Sequence, residues 1–100
     1  SRKVVLNLGL TYDTTHEQIL EAIDILKDIN AKNEHTDEKV LHGFNAFNDS
    51  ALNVIFIYYI NAGDDILGTQ TEMNAEILRR FNEKGLEFAY PTQTIFTQQA

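Results

Sequence analysis

The chain has 100 residues, 43% of them hydrophobic, and carries 15 acidic against 8 basic side chains for a formal net charge of −7. That size suits one compact domain, and the acidic surplus disfavours nucleic-acid backbones and anionic membrane surfaces. Cysteine is absent, which removes disulfides, thiolate chemistry and Cys-based metal sites. No apolar run approaches the roughly 20 residues that cross a bilayer. The chain starts with Ser1 rather than Met, so it is expected to be a piece of a longer protein.

From Lys3 to Thr11 the residues alternate, with Val4, Leu6, Leu8 and Leu10 on one face. This period of two predicts a strand with one face in a core. Thr14 and Thr15 precede Glu17 and Gln18 by three residues each, a capping-box pattern that starts a helix. Ile19, Ile23, Leu26 and Ile29 then form its buried stripe, and the polar stretch Asn30 to Lys39 reads as a loop.

Val40 to Asn48 and Ala51 to Ile60 predict two more strands, joined as a hairpin through Asn48-Asp49-Ser50. After a break at Asn61-Ala62-Gly63-Asp64, Met73, Ile77 and Phe81, with Leu78 beside them, mark a second helix. Thr69 with Glu72 is its expected cap, with Asp64 or Asp65 the alternative start. Gly85 is placed to end that helix in a left-handed conformation. Leu86 to Tyr90 predicts a fourth strand, interrupted by Pro91, and an apolar run continues to Phe96.

The expected class is therefore α+β: a ferredoxin-like βαββαβ sandwich, with a four-stranded antiparallel sheet and two helices on one face. Residues 1–91 are expected to form this domain. Residues 92–100 are expected to be a C-terminal tail strand that joins something outside it. In the third strand Leu52, Val54, Phe56, Tyr58 and Ile60 share one face, while Ile55, Ile57 and Tyr59 occupy the other. That second face is either shielded by loops or packs against another domain or subunit.

Catalytic and metal chemistry find little purchase. His16, His35 and His42 are scattered, with no His-x-x-x-His spacing, so no metal site is assigned. Asp37-Glu38 and Asp64-Asp65 fit no calcium loop, and the latter pair suits a helix start. The glycines form no phosphate-binding loop, and neither serine has a histidine near it in sequence. No catalytic residue and no cofactor is assigned. An RNA-recognition role lacks basic groups on the third strand. An acylphosphatase-type role lacks an arginine in Tyr12-Asp13-Thr14-Thr15. A stand-alone small-ligand-binding regulatory domain of ferredoxin-like fold is the alternative to a non-catalytic assembly role.

Three segments carry a family resemblance. Gly9-Leu10-Thr11-Tyr12-Asp13-Thr14-Thr15 resembles the strand-to-helix signature in the C-terminal domain of small-conductance mechanosensitive (MscS-family) channels. Asn61-Ala62-Gly63-Asp64 is similar to that family's break after the third strand. Phe81 with Gly85-Leu86-Glu87-Phe88-Ala89-Tyr90-Pro91-Thr92-Gln93-Thr94-Ile95-Phe96 resembles its ending, the most specific part. Thr92 stands between Pro91 and Gln93, where many members join them directly, and Ala89 stands where a second proline is common.

The resemblance implies a non-enzymatic domain on the cytoplasmic side of the inner membrane, reached only through upstream segments of the parent chain. Its partners would be copies of itself in a homoheptameric channel that releases solutes on hypoosmotic shock, with no nucleic acid and no small-molecule substrate. The domains would enclose a vestibule with side portals, and Thr94 to Thr97 would supply a barrel strand beyond a bend at Pro91. Family-signature and assembly residues would be Gly9, Tyr12, Asp13, Gly63, Asp64, Phe81, Gly85, Tyr90, Pro91, Gln93, Ile95 and Phe96. From the alternation of the third strand, and not from the resemblance, Ile55, Ile57 and Tyr59 are the candidate open-face interface, with shielding by loops the alternative. Without the upstream segments, the isolated domain is expected to associate weakly.

Overall fold

The computed structural model describes residues 1–89, in the order β1 (Arg2–Leu10), α1 (His16–Lys32), β2 (Thr36–Phe47), β3 (Leu52–Ile60) and α2 (Ile66–Glu83). Among these residues the sheet has three antiparallel strands in the order β1-β3-β2. The most apolar strand, β3, is thus central, which is the place for a strand whose two faces both avoid water.

Both helices lie on one side of the sheet. Leu10, Val54, Phe56, Tyr58 and Ile60 present their buried side chains there, against Ala22, Leu26, Met73 and Phe81 from the helices. Burying each large apolar side chain contributes about 1.5–3 kcal/mol. Across the helix pair, Arg80 donates to Asp28 Oδ2 at 2.7 Å, and Lys32 approaches the same carboxylate at 3.0 Å.

The start of α1 follows the expected capping box. The Thr15 hydroxyl accepts from the Gln18 N–H, and the Gln18 side chain accepts from the Thr15 N–H. Within the expected stripe, Ile19, Leu26 and Ile29 are buried, joined by Ala22 and Ile25. Ile23 is only half-buried, because it borders a groove left open beside β2.

Four features differ from the sequence reading. The stretch expected as a loop up to Lys39 instead starts β2 at Thr36, with a register irregularity before Val40. The buried Thr36 hydroxyl donates to the carbonyls of Asn30 and Asn33, drawing that polar segment into the sheet. The second helix begins at Ile66 with Asp65 at its N-cap, the alternative start in the sequence reading, rather than at Thr69. The Thr69 hydroxyl is buried and donates to the Asp65 carbonyl at 2.7 Å, so it sits in the first turn. Leu78 is 52% exposed, not core.

The fourth correction concerns Leu86 to Tyr90. Within the described residues it is no strand of the sheet but one isolated antiparallel bridge, Leu10↔Phe88. The helix end explains why. Gly85 takes φ 73°, as expected of a left-handed stop, and the Leu86 N–H donates back to the Phe81 carbonyl. Leu86 is thereby committed to α2, and among the described residues the main chain after α2 bonds to the end of β1 through Thr11 N–H to Glu87 O (3.1 Å) and Ala89 N–H to Gly9 O (2.9 Å).

Candidate functional site

The first signature segment ties three parts of the fold together. Gly9 lies where a Cβ would stand 3.1 Å from the Cβ of Ala51, so a side chain there would crowd the approach of β1 to the β2–β3 hairpin. The Tyr12 hydroxyl donates to the Asn48 carbonyl in that hairpin. Asp13 is exposed beside it, in a turn closed by Thr14 N–H to Thr11 O. Because Gly9 O also accepts from the Ala89 N–H, the signature and the last described residues meet at one end of the sheet.

Gly63 and Asp64 are at the opposite end, after Ile60. Gly63 takes φ 89°, a turn conformation that suits glycine, and Asp64 Oδ2 lies 3.5 Å from His35 Nδ1. Phe81 is fully buried and stacks on Phe88, with ring centroids 5.5 Å apart. Gly85 and Phe81 therefore act through the fold, by aiming the chain at β1. Tyr90, Pro91, Gln93, Ile95 and Phe96, with the tail strand assigned to them, lie outside the described residues.

Ile55, Ile57 and Tyr59 share the sheet face turned away from the helices, each partly exposed. The register places Val5 and Leu41 on either side of Ile57, a three-strand apolar row, with Val5 47% and Leu41 53% exposed. No loop among the described residues closes over this row. At one end the Lys39 ammonium stands 5.0 Å from the Tyr59 ring centroid, and Lys3 pairs with Tyr59 across the strands. At the other end Asn53 Nδ2 donates to Asn7 and Asn45.

A second surface was not singled out from the sequence. Tyr12, His16, Leu20, Ile23, Phe44, Phe47 and Leu52 line a groove between the start of α1 and the end of β2. Phe44 and Phe47 meet edge to face at 5.0 Å, and Phe47 remains 76% exposed. The available signal was Leu20, an apolar residue outside the α1 stripe, together with two phenylalanines three apart in a strand. Its polar groups are few, and the Tyr12 hydroxyl is already engaged, which gives a specific small ligand little to orient it.

Among the described residues no group of three His, Cys, Asp or Glu side chains is placed to hold a metal. No helix among them is long and apolar enough to cross a membrane. What the geometry offers among the described residues is two partly exposed apolar surfaces.

Residues 4–88 match the family described as mechanosensitive ion channel MscS, C-terminal. The chain belongs to the MscS family of mechanosensitive ion channels. It is 35% identical over 103 residues to the large-conductance mechanosensitive channel MscMJLR of Methanocaldococcus jannaschii, covering 97% of this chain and 28% of that protein. It is 33% identical over 100 residues to the small-conductance mechanosensitive channel MscMJ of the same organism, covering 98% and 29%. A similar match, 30% identical over 105 residues and covering 98% and 28%, is to an uncharacterized MscS family protein of Aquifex aeolicus. The chain thus spans under a third of the length of these MscS relatives.

Proposed function

We propose that this MscS-family domain is the vestibule-forming assembly module of a mechanosensitive channel, on the cytoplasmic side of the membrane. In this reading copies of the parent chain form a homoheptamer that opens under bilayer tension and releases solutes on hypoosmotic shock. The domain itself performs no chemistry. The observation that carries the reading is the family match from residue 4 to residue 88, which spans the described fold nearly end to end.

The finer architecture belongs to the same proposal. The segment at Phe88 lies on the outer edge of β1, the position a fourth strand takes in a ferredoxin-like sandwich. Residues 92–100 would leave the domain at Pro91 and pair with the same segment of neighbouring copies. Proline suits that bend because it fixes φ and has no N–H for a ladder. Closing such strands into a barrel removes every exposed edge. The formal charge of −7 would favour cations at any portal the domain lines.

The test is the parent channel with and without this domain, assayed by survival of hypoosmotic shock and by tension-activated currents in membrane patches. The proposal expects assembly and survival to fall when the domain is removed. Full assembly and full protection without it would overturn the reading. Reversal potentials in a salt gradient test the charge argument, with anion preference as the contrary result.

A further inference from the structure

The outer edge of β2 differs from that of β1. Among the described residues β2 has β3 on one side and no strand on the other, although it is the longest strand of the sheet. Its charges, Asp37, Glu38 and Lys39, all precede Val40, and from Val40 to Phe47 it has no Asp, Glu, Lys, Arg or Pro. Natural sheets guard such an edge with charge, proline or a covering segment. The edge of β1 is guarded in two of these ways, by Arg2 and Lys3 at its start and by Glu87 to Ala89 across its end.

The register fixes which main-chain groups of β2 are free. Gly9 O and Thr11 N–H bond to the segment after α2, so the odd residues of β1 point away from β3 and the even ones point towards it. In antiparallel pairs these directions alternate along each strand. Carried through Leu6↔Phe56 and Leu41↔Ile57, the alternation turns Leu41 and Gly43 inward to β3. The N–H and C=O of Val40, His42 and Phe44 therefore point outward. Val40 to Phe44 is also the regular part of β2, between its two register shifts.

The side chains on the open face have the same centre. Leu41 is exposed, while a Cβ on Gly43 would meet nothing within 4 Å. A projecting side chain and an open space thus flank His42, one on each side.

We propose that this edge pairs with the same edge of a second copy, antiparallel and centred on His42. Val40 of each copy then stands opposite Phe44 of the other, and the outward main-chain groups between them are all paired. Leu41 of each copy seats over Gly43 of the other. A register shifted by one residue sets outward groups against inward ones, and a shift by two runs into the irregular ends of the strand. No charged side chain lies in the paired stretch to oppose its own copy. The patch is its own complement, which is what a two-fold contact requires. Main-chain bonds supply the attachment, and Leu41 over Gly43 supplies the register. The contact joins two three-stranded sheets into one and lies outside any ring of head-to-tail contacts. It joins domains of two assemblies and does not rest on the channel reading.

The chain lacks cysteine, so Leu41→Cys and Gly43→Cys copies are mixed and oxidised. The mixed disulfide is expected in excess of either homodimer. In amide exchange on the unmodified chain, Val40, His42 and Phe44 should gain protection as concentration rises, whereas Leu41 and Gly43 are protected even on dilution. His42→Pro removes an N–H that β3 does not use and should abolish the concentration-dependent protection. Leu41→Lys, which leaves the backbone untouched, should weaken it. A chain that stays monomeric at the highest concentration reached, or an excess of the two homodimers, would overturn the proposal. So would protection of the outward amides at every concentration, which would seat the chain's own end on the edge. Association that survives both substitutions would do the same. A parent that never gates leaves these results as they stand, and a parent that gates normally does not rescue them.

Discussion

Phe88 stacks almost flat on Phe81, with ring centroids 5.5 Å apart and an interplanar angle of 7°. Phe81 belongs to the closed core, and Phe88 is the last large side chain among the described residues. The stack therefore links core packing to the placement of the segment after α2. Phe81→Ala should cost about 3–5 kcal/mol, because it removes a fully buried ring and leaves a cavity. Phe88→Ala, at a half-buried position, should cost distinctly less while freeing the amide of Ala89 to exchange. Urea unfolding measures the first effect and amide hydrogen exchange the second. Equal losses of stability from the two substitutions would contradict this division.

Gly9 and Ala51 form a second testable pair. A Cβ at Gly9 would meet that of Ala51 at 3.1 Å, tighter than ordinary contact. Gly9→Ala should destabilise by about 1–3 kcal/mol as the hairpin is pushed from β1. Adding Ala51→Gly should recover part of that loss, with a coupling above about 0.5 kcal/mol in a double-mutant cycle. Strict additivity would show that the contact relaxes without cost.

The Tyr58 hydroxyl is buried among apolar side chains and has no hydrogen-bond partner among the described residues. Burial pushes its phenol up from the usual value, since the anion is the form that loses most on desolvation. Tyr58→Phe keeps the ring and its contact with Phe56, at 5.4 Å between centroids, and removes the orphaned group. It should leave stability unchanged or raise it by about 1 kcal/mol. A clear loss in thermal unfolding would reveal a partner for the hydroxyl.

Asp28 supplies a pH dependence. The hydrogen bond from Arg80, then that from Lys32, holds its carboxyl below the ordinary carboxylate value. A depressed folded value means that the unfolded chain binds the extra proton first. The contribution is therefore present above the unfolded value of about 4 and is lost as pH falls through the folded one. Glu76, lowered chiefly by its hydrogen bond from Arg79, acts with the same sign. Asp28→Asn should flatten the acid limb of stability below about pH 4 without abolishing it, as read by denaturant midpoints at stepped pH. An unchanged acid limb would mean that the pair does not persist in solution.

The cap of α1 is the most local of these tests. Thr15→Ala removes the acceptor for the Gln18 N–H and should cost about 1 kcal/mol. Thr14→Ala, one residue earlier, should cost less, because its hydroxyl takes no part in the cap.

Much of this fold was legible because its signals are local. Period-two alternation found β1 and β3, Thr15 with Gln18 found the start of α1, and Gly85 found the end of α2. What escaped depends on contacts across the chain. The Thr36 hydroxyl joins β2 only because Asn30, six residues earlier, ends a helix turn beside it. Leu86 to Ala89 has the composition of a strand, yet Leu86 is tied to Phe81 and the segment meets β1 late. For the candidate surfaces, the face of Ile55, Ile57 and Tyr59 followed from alternation. The groove did not, since it forms from Leu20, Phe44 and Phe47 on separate elements.

The single bridge at Leu10↔Phe88 also has a mechanical meaning. The β1–β3 ladder runs through nine residue pairs from Arg2↔Ile60 to Leu10↔Leu52, whereas among the described residues the segment after α2 is clasped to β1 by two main-chain hydrogen bonds and one ring contact. A pull on the chain end meets least resistance at that clasp. Under load, Glu87 to Ala89 would peel from β1 while the sheet stays closed, a short slack-length in series with a stiff body, set by where α2 stops.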